Sequence, residues 1–399
     1  MKRPVYLDNH STTRLDPRVL EVMLPFLNEQ YGNAASRQHE FGWMAEAAVE
    51  KARTEVAGLI GAVPSEIIFT SGATESINLA LKGIAEGNGF RGNHLVAATT
   101  EHRAVLDTCR RLEEAGFRVT RVPVDSCGWV SAEQISDAIT PETILVTIMT
   151  ANNEIGTIAP VSEIGRVCRE RGVLFHTDAT QAAGKVPMDV ASLQVDLMSF
   201  SAHKMYGPKG IGALYVRSSK PGIRLTAQVD GGGHERGMRS GTLNVPAIVG
   251  FGEAARISLA EMKDEMVRIR ALRDRLVTGI TSQLEGVHVN GHPTERLVQN
   301  ANMTFDGTRA DRLMMDMKDI AVSTGSACSS ASPEPSHVLR AIGLKDDDVL
   351  ASIRFGLGRF TTDEEISYVI GRTVETVRKA RSRASGRAHN ESLHANSVS

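Results

Sequence analysis

The chain has 399 residues, 41% of them hydrophobic, enough for a large core and pointing to two folded units. Its 45 Lys and Arg against 47 Asp and Glu give a net charge of -2, so there is no electrostatic case for nucleic acid or an anionic membrane as partner. No apolar run reaches the ~18 residues of a membrane span, and residues 1–6 lack the apolar stretch of a secretory signal, so the expected compartment is the cytoplasm. The four cysteines, Cys109, Cys127, Cys168 and Cys328, show no CxxC spacing. Neither a disulfide framework nor a metal site is expected from them.

In chain order, residues 66–70 (Glu-Ile-Ile-Phe-Thr) read as a strand. Ser71-Gly72-Ala73-Thr74-Glu75-Ser76 then turns into a helical pattern. Small residues at a helix N-terminus leave backbone N–H groups open, and the helix dipole favours an anion there. An ordinary cap is the competing reading. A second strand over 94–99 leads to Glu101-His102, where an imidazole can stack on a flat ring and move protons. A purely structural histidine is the alternative. The strand over 144–149 is followed by Thr150-Ala151-Asn152-Asn153, which offers amide donors at the same sheet edge. A helix over 161–171 precedes a strand over 173–178 that ends on Asp178. Open α/β sheets place ligand groups at that end of their strands. A carboxylate there suits the nitrogen of a pyridine ring, because a protonated ring is a better electron sink. Asp178 can equally be a helix cap. Gln181 follows, with an amide that can reach a ring oxygen.

The apolar run at 195–200 leads directly into Ser201-Ala202-His203-Lys204, ahead of a glycine-rich stretch at 207–212. A lysine just past a strand end, flanked by hydroxyl and imidazole donors, suits a Schiff base to pyridoxal phosphate. The amine must be desolvated enough to lose its proton, and its neighbours must hold a phosphate. A solvated loop lysine is the bland reading.

Strand and helix patterns alternate from about residue 66 to about residue 216, which implies an α/β fold with a mostly parallel sheet covered on both faces. A long helical pattern over 246–283 leads to a second, smaller unit. There, short strands are expected at 287–289, 302–305 and 353–355, with helices at 309–317 and 363–381. Arg354 in the last of these strands needs an anion, either a substrate carboxylate or an internal salt-bridge partner. Residues 322–333 form a small, polar loop around Cys328, where a thiol is accessible. A nucleophile, an inert thiol and a metal ligand are the three readings of that residue. Residues 382–399 carry almost no large apolar side chains and are expected to lack fixed structure.

Taken together, the ordered motifs resemble the fold-type I, class V pyridoxal phosphate enzymes, specifically the NifS/IscS-type cysteine desulfurases. The resemblance runs from residues 6–13 to residues 357–361. It is carried by residues 70–76, Asn152-Asn153-Glu154-Ile155-Gly156, His176-Thr177-Asp178-Ala179, Ser201-Ala202-His203-Lys204, Arg239-Ser240-Gly241-Thr242 and Gly325-Ser326-Ala327-Cys328. Its long cysteine loop is similar to that of the first of the two desulfurase groups.

The resemblance implies a large domain with a seven-stranded type of sheet over 16–260, and a smaller α+β domain over 261–381 that carries the cysteine loop. An N-terminal segment, 1–15, joins the small domain. It implies that Lys204 holds pyridoxal phosphate, Asp178 pairs with the ring nitrogen and Gln181 with the ring oxygen, and His102 stacks on the ring. Ala73, Thr74, Ser201 and His203 bind the phosphate, and Thr242 reaches the cofactor of the second subunit of a homodimer. Asn153 and Arg354 hold the substrate carboxylate. L-cysteine is the implied substrate. Its sulfur passes to Cys328 as a persulfide, alanine leaves, and an acceptor or iron–sulfur scaffold protein receives the sulfur. A selenocysteine lyase uses nearly the same site, and a class V aminotransferase or lyase shares it without needing Cys328. A catalytically silent scaffold of the same fold is the remaining alternative, against which the intact set of Lys204, Asp178, His102 and Cys328 speaks.

Overall fold

Short runs of β-branched, leucine and aromatic residues, closed by helices of matching apolar stripe, build the first two thirds of the chain. In this computed structural model, residues 3–89, 91–218, 222–324 and 335–396 are described, with side chains as far as residue 383. The elements begin with β1 (Val5–Tyr6), α1 (Pro17–Asn28), α2 (Glu40–Leu59), β2 (Ile67–Thr70), α3 (Ala73–Asn88), β3 (His94–Ala98), α4 (Arg103–Glu114) and β4 (Arg118–Val122). They continue with α5 (Ala132–Ala138), β5 (Thr143–Thr147), α6 (Val161–Arg171), β6 (Leu174–Asp178), β7 (Leu197–Ser201) and β8 (Gly212–Val216).

These seven strands from β2 to β8 form one sheet in the order β2-β8-β7-β6-β5-β3-β4. Only β8 runs antiparallel to its neighbours. The reason is the connection: β7 and β8 are joined without a crossover helix, and a short link can only reverse the chain. Side chains alternate between two apolar layers. Ile67, Phe69, Val96 and Phe200 share one core with residues of α1, α2, α5, α6 and α7, whereas Ile68, Leu95, Leu145 and Leu214 share another with residues of α3 and α4.

The second part comprises α7 (Val245–Thr281), β9 (Val287–Asn290), β10 (Asn300–Phe305), α8 (Ala310–Asp316), β11 (Ile320–Ala321), α9 (His337–Ala341), α10 (Asp346–Leu350), β12 (Ser352–Gly356) and α11 (Asp363–Asn396). The strands β12-β10-β9 form an antiparallel sheet. The 37-residue helix α7 joins the two parts: Phe251 and Met262 belong to the core of the large sheet, Ile269 and Leu276 to the second core. β1 pairs with β11, and Val5 and Leu7 enter that second core.

The last helix runs from Asp363 to Asn396, and no proline interrupts it.

His176 lies fully buried in mid-sheet and links three strands, its Nδ1 2.8 Å from Thr147 Oγ1 and its Nε2 2.9 Å from Ser199 Oγ. Burial pushes its pKa from 6.5 down to about 3. In that window the unfolded chain binds a proton that the folded chain refuses, so stability must fall as the pH drops from 6.5 toward 3. In urea unfolding across this range, His176→Gln should flatten the slope by about one proton while lowering stability at neutral pH. Phe251 fills the gap between Phe69 and Phe200, with ring centroids 6.3 and 5.7 Å away. Phe251→Ala should cost about 3–5 kcal/mol in the same assay.

Candidate active site

The carboxyl ends of β2, β3, β5, β6 and β7 surround a cavity of about 580 Å³. Each strand delivers one polar group to it, because each ends where its apolar run ends.

β7 delivers Lys204, in a single tight turn spanning Ala202–Lys204. The lysine is buried, and its Nζ donates to the carbonyl oxygens of Ser11, at 2.6 Å, and of His10. β6 delivers Asp178, which lines the cavity and accepts the Thr180 N–H at 2.9 Å. Gln181 follows on the wall, but both of its amide atoms are engaged by His10: Oε1 lies 2.9 Å from Nδ1, and Nε2 donates to the carbonyl at 3.0 Å. This fixes the proton of His10 on Nδ1. Burial, reinforced by Arg354 and Lys185, holds the His10 pKa far below its usual value, so the ring is neutral.

β3 leads to His102, whose ring lines the cavity while its Nδ1 accepts the Ala104 N–H at 3.1 Å, capping α4. The reading as a cap and the reading as a site residue are therefore compatible. Beneath it, Glu101 is wholly buried and accepts the Met149 N–H at 2.8 Å. Burial raises its pKa well above the usual carboxyl range, which favours its protonated form.

β2 ends in the turn to α3. No side chain caps this 16-residue helix, and a Cβ on Gly72, its N-cap residue, would meet nothing within 4 Å. The N–H groups of the first turn thus open onto the cavity, where Ala73, Thr74, Ser201, His203 and Lys209 also lie. Burial, with Lys204 nearby, lowers the His203 pKa to about 4, and its Nδ1 lies 3.1 Å from Thr12 Oγ1. Glu75 steadies the turn by accepting the Ser71 N–H at 2.7 Å and the Arg239 guanidinium at 2.9 Å.

An open helix N-terminus with hydroxyls and a cation at one end, a carboxylate and an imidazole on the walls, and a buried amine fit a flat, anionic aldehyde such as pyridoxal phosphate.

The remaining expected residues fall less evenly. Asn153 lines the cavity. Arg354 stands outside the lining, fully buried, donating to the Asn153 carbonyl at 2.8 Å and to Asp8 at 2.9 Å. It forms the internal ion pair that was its competing reading. Thr242 is exposed and lies off the cavity, in the segment tied down by Arg239. Cys328 falls within 325–334, outside the described residues. Sequence reasoning gave no role to His10, Ser11 or Lys209. His10 meets Gln181 across 171 positions, and no local pattern encodes such a contact. Among the described residues no group of three or more His, Cys, Asp or Glu could hold a metal ion, and no helix is long and apolar enough to cross a membrane.

Comparisons with known proteins agree with this geometry. The class-V aminotransferase family matches residues 5–369. The chain is 56% identical to a protein named cysteine desulfurase IscS from Anaeromyxobacter dehalogenans, over 96% of this chain and 94% of that one. It is equally similar, 56% over the same shares, to the cysteine desulfurase IscS of Methylococcus capsulatus. Among solved structures, a NifS-like protein superposes with a TM-score of 0.88 at 40% identity, over 94% of this chain and all of that one. A structure described as SspA in complex with cysteine superposes with a TM-score of 0.79 at 37% identity, over 90% of this chain and 100% of that one. Both the site and these likenesses converge: the chain belongs to the pyridoxal phosphate-dependent class-V aminotransferase family, among its IscS-type cysteine desulfurases.

Proposed function

We propose that this protein is a cysteine desulfurase that takes sulfur from L-cysteine, leaves L-alanine, and carries the sulfur as a persulfide on Cys328. One observation supports this reading above the others: Lys204, Asp178, His102 and the uncapped start of α3 share a single cavity. Pyridoxal phosphate, when bound, supplies an electron sink for the substrate Cα.

The chain's own residues do the rest. Lys204 holds the cofactor covalently and moves the Cα proton. The Asp178 carboxylate keeps the ring nitrogen protonated, Gln181 borders the ring oxygen, and His102 covers the ring face. The N–H groups at Ala73 and Thr74, with Ser201 and His203, take the phosphate. Asn153 takes the substrate carboxylate, and Arg354 adds positive charge from behind its carbonyl. Thr242, exposed, serves the second subunit of a homodimer. At Cys328 the thiolate attacks the substrate sulfur: an S–S bond forms and the Cβ–S bond breaks. The electron pair returns to carbon, which a proton converts to alanine. A sulfur-acceptor protein, in the cytoplasm, then receives the persulfide sulfur.

Cys328→Ser should keep the cofactor's visible absorbance and lose both alanine and sulfide production from L-cysteine; near-wild-type alanine release by this variant overturns the assignment. Lys204→Ala should lose covalent attachment of the cofactor and slow alanine formation by roughly a hundredfold or more, measured in single-turnover assays.

A further inference from the structure

The irregular segment 229–242 contains two non-glycine residues with left-handed backbone, Glu235 at φ 47° and Arg236 at φ 57°. Such conformations are unfavourable and persist only where the surroundings fix them. Arg53 of α2 does so here. Its side chain is 5% exposed and grips both oxygens of Glu235, itself 1% exposed, at 2.7 Å each. One Glu235 oxygen also accepts the Phe69 N–H at 2.7 Å. Arg53 and Arg236 both donate to the Ile67 carbonyl, at 2.9 and 2.7 Å.

Ile67 and Phe69 belong to β2, the edge strand of the large sheet. An edge strand leaves alternate N–H and C=O groups without a strand partner. On β2 these groups are met by the Arg53–Glu235 pair and Arg236. Two residues after Phe69 the chain enters the turn at Ser71, whose N–H goes to Glu75, and Glu75 binds Arg239. The segment 229–242 therefore holds both the strand entering the turn and the helix leaving it.

We propose that Arg53 and Glu235 are positioning residues for the cofactor phosphate. By completing the open edge of β2, the pair sets where the turn at Ser71–Thr74 presents its N–H groups. This rests on the reading of that turn as the phosphate site. A buried, two-pronged ion pair suits the task, because it has one geometry and loses much when either partner is removed.

The test compares pyridoxal phosphate with pyridoxal, which lacks the phosphate. Full-length enzyme freed of cofactor is titrated with each, following the absorbance of the Lys204-bound aldehyde. In Glu235→Gln, the preference for the phosphate form should fall by roughly ten- to a hundredfold, with pyridoxal affinity nearly unchanged. A loss of affinity shared equally by both compounds, or an unchanged preference, overturns the proposal and leaves the pair a scaffold element. If the wild-type enzyme itself shows no preference, the reading of the turn fails and the proposal fails with it. Should Glu235→Gln not fold, Arg53→Lys carries the same test. It keeps the charge, loses the fork, and should give a smaller drop in the same preference.

Discussion

The site depends on one short stretch of chain, residues 8–13, laid across the carboxyl edge of the large sheet. The carbonyls of His10 and Ser11 receive the Lys204 ammonium, and His10 engages Gln181. Thr12 reaches His203, and Thr13 bonds the His203 carbonyl at 2.9 Å. The same stretch is fastened to the second part of the protein: Asp8 bridges to Gly356, Asn9 Nδ2 donates to the Gly356 carbonyl, and Asn300 reaches the far nitrogen of His10. Lysine orientation is thus set by backbone carbonyls, which cannot change charge. Through this stretch the second core is tied to the cavity walls.

Electrostatics follow from that closure. Lys204, Lys185 and Lys209 lie near one another, and burial with the Lys204 charge pushes the Lys185 pKa down to about 7. His10 and His203 are held neutral, so they add hydrogen bonds without adding repulsion. Glu101, protonated, removes a negative charge that would otherwise sit beside Asp178. What remains is a site with an excess of donors and cations and one anionic wall. It attracts phosphate and carboxylate groups while keeping an acid for a ring nitrogen.

Much of this was legible in the sequence because it is local. The strands ending on Asp178 and before Lys204 announce themselves by apolar runs that stop at a polar residue, and Ser71–Thr74 by small residues ahead of a helical pattern. What stayed hidden is long-range. Arg354 had two possible anions in the sequence, and nothing local pointed to Asp8, 346 positions away. Glu235 has no local signature either: its worth comes from an unpaired edge on β2, which exists only once the strand order is known.

The residues that flank 325–334 show how the two parts cooperate. Ser323 pairs with Arg354 through backbone hydrogen bonds, and Arg354 grips the Asn153 carbonyl. On the other side of residues 325–334, Ser336 donates to Glu154 at 2.5 Å, and His337 Nε2 lies 3.0 Å from the Glu101 carbonyl, next to His102. Behind it Val338, Leu339 and Ile342 pack on Ile155. Both flanks are therefore fixed to the same stretch, Asn152-Asn153-Glu154-Ile155, which itself borders the cavity. The contacts at Asn153 and Glu154 fasten both flanks, and Asn152, Glu154 and Ile155 are buried at the end of a strand where loops are usually exposed.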